Sequence, residues 1–284
     1  MDTREKFLEF SIGLHAPGSG APSSYVKALN LLDDALYAFN PRTNPQKAIW
    51  DVRDVNILWN LYQLSKKEQK KENGGIFQNI SSTSYWKKGF ISAAIREYTK
   101  FILIYSVQEE MFKTIDRATD AITLAKELDS IRITASPALF DSDDFNLNSR
   151  EGKTALQEVQ VRINQYVFRK MVLKDYNQTC CITGLTIPEV LRASHISAWA
   201  KDELNRMNPE NGLCLSATYD AAFDRHLISF DDDYRMILAP SLKEHYTNEA
   251  FKKFFVNLQG KRMTLPLKFL PSKKLLELHR KQMQ

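Results

Sequence analysis

"LRASHISAWAKDELNRMNPENGLCLSATYDAAFDRHLISF", residues 191–230, changes character along its length. LRASHISAW reads as a strand, NGLCLSA as a turn into a second strand, and TYDAAFDRHL as a short helix. Asn211–Gly212 is the turn former, with Gly212 supplying the positive φ that such a turn needs. That order puts His195 on the first strand, Asn211 at the turn, and Asp220 and Asp224 on the helix. The two aspartates are four residues apart, so they share a helix face and can point at one cation.

On the C-terminal side, LISFDDDYRMILAP reads as two strands joined by an acidic turn at Asp231–Asp233, and NEAFKKFFVNL and SKKLLELHRKQ as helices. On the N-terminal side, a helix runs from Lys153 with Leu156, Val159, Val161, Val167, Phe168 and Val172 among its apolar positions. Before it, residues 136–152 are rich in Ser, Asp and Asn without periodicity and read as a linker. Residues 1–135 are helical: one helix from about Ser24, one behind Asp51, and one through 82–106. Residues 107–130 continue helically, with Met111, Ile115, Ala118, Ile122 and Leu128 as an approximate stripe. The expectation is an α+β chain of two domains, helical over 1–135 and mixed over 153–284. Nothing in the helical part carries chemistry.

The bulk numbers bound the function classes. No run of about 18 apolar residues occurs, so no membrane span or export signal is expected. Cys180, Cys181 and Cys214 are too few for a disulfide framework, and adjacent Cys180 and Cys181 cannot form the paired C-x-x-C knuckles of a structural zinc site. A reducing cytoplasm fits this usage. The net charge is +5. Residues 1–150 hold 19 Lys/Arg and 19 Asp/Glu, leaving 20 and 15 for 151–284, so the whole excess lies in the second half. A basic half-chain favours a polyanion such as nucleic acid, although a solvated basic surface gives the same count.

A histidine beside two carboxylates suits phosphodiester hydrolysis. Water is a poor nucleophile at neutral pH, and a neutral imidazole of pKa near 6.5 can take its proton during in-line attack on phosphorus. A divalent cation stabilises the charge that develops on the phosphoryl and leaving oxygens. Oxygen-only ligands favour magnesium or manganese over zinc. The amide of Asn211 both donates and accepts, so it can hold the histidine strand in register.

The joint run of CITGL at 181–185, LRASHISAW at 191–199 and NPENGLCLSATYDAAFDRHLISF at 208–230 resembles the HNH endonuclease domain, the ββα-metal nuclease, in the form found in bacterial restriction endonucleases. The lead-in 161–184 and the tail 260–281 extend the likeness over about 150–284. The resemblance implies a metal-dependent endonuclease that cuts double-stranded DNA in host defence and acts as a homodimer. Its helical N-terminal domain would recognise DNA or dimerise. His195 would be the base, Asn211 the residue ordering the turn, and Asp220 with Asp224 the ligands of Mg²⁺ or Mn²⁺. Arg192, Lys201 and Arg225 would grip phosphates.

Two departures from the family pattern bear on the metal site. Ser194 stands where an aspartate or histidine often precedes the catalytic histidine, and can at best bond a metal-bound water. Asp220 stands in place of the third histidine, with Tyr219 beside it as a packing or substrate-contact aromatic. Asp220 and Asp224 can also simply complement the helix dipole. His226, two residues past Asp224, points elsewhere if the helix continues, and would support a metal ligand, contact a DNA phosphate or simply lie at the surface. These departures keep open a DNA-binding or defence-regulatory protein without catalysis, and a nuclease of little sequence preference.

Overall fold

The computed structural model describes residues 2–39, 49–80, 82–133 and 150–283. The helices are α1 (Thr3–Leu14), α2 (Ala21–Phe39), α3 (Val55–Glu68), α4 (Thr83–Lys87), α5 (Phe90–Arg117), α6 (Ala121–Ser130) and α7 (Arg150–Asp175). There follow β1 (Leu191–His195), β2 (Gly212–Ser216), α8 (Ala217–Asp224), β3 (Ile228–Phe230), β4 (Met236–Leu238), α9 (Glu249–Phe254) and α10 (Lys273–Arg280). The arrangement is α+β, with helices first and two small antiparallel sheets toward the C-terminus. No described helix is long and apolar enough to cross a membrane.

Two compact units divide the chain: Met1–Val107 with Ile133–Glu158, and Gln108–Arg132 with Val159–Gln284. The second unit includes α6. The buried face of α6 is Ala121, Leu124, Ala125 and Leu128, and it packs beside the short turns at Glu203–Asn205 and Pro209–Asn211. Ile122, read as part of that stripe, is exposed. Of the expected linker, 136–149 lie outside the described residues.

The first unit packs an aromatic cluster. Phe7 meets Trp50, Tyr98 and Phe101 with ring centroids 5.4–5.8 Å apart. Helix α1, unmarked by periodicity in the sequence reading, begins at a capping box in which Asp2 and Glu5 satisfy each other's backbone N–H. Helix α3 starts at the Asp54 cap rather than behind Asp51.

In the second unit, α7 buries Ile163, Val167, Phe168, Met171 and Val172, spaced by three and four residues, while Val161 faces solvent. Arg169 ties it to the start of β1 by donating to the Leu191 carbonyl at 2.8 Å. β1 and β2 pair antiparallel with His195 opposite Gly212 and Leu191 opposite Ser216, and α8 packs on both strands. β3 and β4 form the expected hairpin around the acidic turn, where the Asp231 carboxylate accepts from the N–H groups of Asp233 and Arg235.

Candidate active site

The pairing of His195 with Gly212 ends the first strand at His195, short of the expected Trp199, and leaves residues 196–211 as a long connection that Asn211 closes. Gly212 has φ −118°, so positive φ is not its role. A Cβ there would lie 2.4 Å from Val172 Cγ2 and 3.1 Å from Phe168 Cζ. Glycine lets α7 lie close against β2, which brings the Phe168 ring under His195.

Asn211 is fully buried and holds the connection together. Its Oδ1 accepts from the Ser197 N–H at 2.7 Å, and its Nδ2 donates to the carbonyls of Ser197 at 3.1 Å and Asn205 at 3.0 Å. Its own carbonyl accepts from the Ile196 N–H at 2.9 Å. One side chain therefore fixes both ends of a loop that carries no regular ladder.

The imidazole of His195 is stacked on Phe168 at 3.8 Å and 11°, and meets Trp199 edge-on at 5.4 Å. Its Nε2 lies 3.1 Å from the Arg206 carbonyl oxygen, which can only accept, so Nε2 carries the hydrogen. The lone pair is then on Nδ1, which has no protein partner among the described residues. Burial lowers the pKa to about 4 against the opposing pull of the Arg206 carbonyl, so the ring is neutral at pH 7.

His195 lines a cleft of about 490 Å³ with Ser194, Asp220 and Asp224. Arg192 and Lys201 reach the same cleft from β1 and the connection. Desolvation, then the like charge of Asp220, raises the Asp224 pKa, and a cation between the two carboxylates would relieve that repulsion. Ser194 is only 3% exposed, and its Oγ has no hydrogen-bond partner among the described residues. Among the described residues, no group of three or more His, Cys, Asp or Glu side chains converges to hold a metal. Two carboxylates suit a hard cation that keeps several of its waters, as magnesium does.

Other expected site residues lie differently. Arg225 is absent from the cleft wall, its guanidinium folded back to donate to the Ala221 carbonyl at 2.9 Å. Tyr219 is buried, packs on Phe255 and donates its hydroxyl to the Phe254 carbonyl, which makes it a packing aromatic. His226 does not continue the helix. Its φ of +56° turns the chain after α8 and brings the side chain into the cleft beside Asp220 and Asp224. His279 and Gln282, from the chain's end, also line it. Their only signal in the sequence was the tail's likeness to the family, which names no residue there.

No curated protein matches the chain. Residues 180–231, which carry β1, β2, α8 and the carboxylates of the cleft, match the HNH endonuclease family model, and that match supports a nuclease domain acting on DNA.

Proposed function

We propose that this protein is a metal-dependent endonuclease that hydrolyses phosphodiester bonds of double-stranded DNA. The observation that carries the reading is a neutral His195 with its Nε2–H committed to a carbonyl and its Nδ1 free, in one cleft with Asp220 and Asp224.

Nδ1 of His195 accepts a proton from the attacking water as the new P–O bond forms and the bond to the 3′ oxygen breaks; that oxygen takes a proton from solvent. Burial keeps the base neutral, and an anionic phosphate beside it raises its proton affinity during the reaction. Asp220 and Asp224 are the residues that would hold a divalent cation, which when bound would supply Lewis-acid stabilisation of the phosphoryl charge; Mg²⁺ or Mn²⁺ would suit these oxygen donors. Asn211 keeps His195 in place by fixing the connection behind it. Arg192 and Lys201, both exposed at the cleft, bind backbone phosphates.

The ββα-metal form of the domain and a type II restriction role in host defence are supported by the likeness of 181–230 to restriction-type members. Symmetric cutting of both strands requires two copies of the chain. The helical first unit is then the candidate for DNA recognition or dimerisation. Three free, buried cysteines fit a cytoplasmic location.

The absence of a third acidic or histidine ligand among the described residues favours one rival, a DNA-binding protein without catalysis. Incubation with plasmid DNA, with and without Mg²⁺ or Mn²⁺, separates the readings. Metal-dependent discrete fragments are expected; a smear would overturn the restriction role alone. Salt-dependent binding without cutting under any metal would establish the rival.

A further inference from the structure

The cleft receives His226 from the turn after α8, and behind it stands His279 of α10. The His279 ring is 2% exposed and stacked on Phe223 at 3.8 Å and 5°. Its Nε2 is 3.0 Å from the Phe223 carbonyl oxygen and 3.0 Å from His226 Nδ1, while its Nδ1 is 3.0 Å from Ser229 Oγ.

These contacts fix the protons in turn. A carbonyl only accepts, so His279 Nε2 carries hydrogen, and that N–H is shared with His226 Nδ1, which must accept. His279 Nδ1 then accepts from the Ser229 hydroxyl. With Nδ1 accepting, the N–H of His226 is at Nε2, which has no protein partner among the described residues. The backbone carries a second sign. His226 holds φ +56°, a conformation glycine adopts without strain, and a histidine persists there only where its surroundings hold it.

We propose that His226 Nε2–H donates to a non-bridging oxygen of the scissile phosphate, as a further substrate-contacting residue positioned by His279 and Ser229. This rests on the nuclease reading above. Asp220 and Asp224 in the same cleft repel a phosphate, and an N–H donor held in place favours the charge that grows on its oxygens. The C-terminal helix becomes part of the reaction centre, although the family match ends at residue 231.

The test uses the full chain and two variants chosen for the left-handed backbone. His226→Gly removes the donor, and His226→Asn keeps an N–H. Single-turnover cleavage of plasmid DNA with Mg²⁺ is compared with DNA affinity in Ca²⁺ and with the melting temperature. His226→Gly is expected to cut about 10- to 100-fold more slowly, with affinity within about threefold and melting unchanged; His226→Asn should stay within about fivefold of the parent. Equal cutting by His226→Gly and the parent overturns the proposal while leaving the nuclease reading intact, and so does an equal loss in both variants. A parent protein that cuts under no metal overturns both. Independently of activity, the ¹⁵N shifts of His226 should report a bare Nδ1 and a protonated Nε2, and the reverse tautomer contradicts the assignment.

Discussion

His195 and His279 occupy pockets built from the same parts. Each ring lies on a phenylalanine at 3.8 Å, and each gives its Nε2–H to a backbone carbonyl, at 3.1 Å for Arg206 and 3.0 Å for Phe223. Burial takes both pKa values down to about 4. They part at Nδ1. Ser229 fills that of His279, whereas that of His195 has no partner among the described residues. A depressed pKa marks both rings as desolvated; the proposed base is the one whose lone pair is spare and whose ring lines a cleft with two carboxylates.

The largest expected way to sharpen this contrast is to remove a carboxylate. Asp220→Ala should slow metal-dependent cleavage by about 10²-fold or more, while the His195 imidazole keeps its neutral tautomer in NMR spectra. Cleavage at the parent rate would mean that the carboxylates do not distinguish the His195 pocket.

Next is the loop that holds His195. Asn211→Ala strands the Ser197 N–H and the carbonyls of Ser197 and Asn205, and is expected to destabilise the second unit by roughly 2–4 kcal/mol. Thermal melting reads it as a fall of about 5–10 °C, and an unchanged melting point would show that the connection is held by other contacts.

Acid tests what the pockets share. Between pH 6.5 and about 4 the unfolded chain binds protons at His195 and His279 that the folded chain does not, so stability is full above pH 6.5 and falls toward pH 4. The loss should be roughly 3 kcal/mol for both rings together, allowing for partial solvation. His279→Phe keeps the stacking and should halve that slope in denaturant titrations at pH 7, 5.5 and 4. An unaltered slope would contradict a buried neutral His279.

The smallest effect is at the rim. Lys201→Ala should weaken DNA binding only a few-fold and lower the slope of log affinity against log salt by about 0.9, measured by fluorescence anisotropy. A larger, salt-independent loss would place Lys201 in the reaction centre.

Much of this comparison was legible from one stretch of sequence. His195, Asp220 and Asp224 share a cleft because a strand, a second strand and a helix follow in that order, and the residue pattern encodes each element. The residue pattern shows Asn211 as a residue that can bridge, but its reach to Asn205 depends on the path of a sixteen-residue connection that has no periodicity to read. The need for glycine at 212 is equally hidden, since it comes from the approach of Phe168 and Val172 of α7, 44 and 40 residues upstream. His226 and His279 were not legible as a pair. One depends on a left-handed residue that ends α8, and the other arrives from 53 residues away. Ser194 departs from the family pattern in the sequence alone, but only packing shows that its hydroxyl is buried with no partner among the described residues.

The central claim is that Nδ1 of a neutral His195 takes the proton, and the most direct measurement is kcat/KM for DNA cleavage by the parent and by His195→Ala from pH 8 to 4 with saturating Mg²⁺. The parent rate should hold level down to about pH 5 and then fall as His195 protonates near pH 4. His195→Ala should be slower by about 10²- to 10⁴-fold at every pH. A variant that cuts as fast as the parent would contradict the account, as would cleavage that needs no metal.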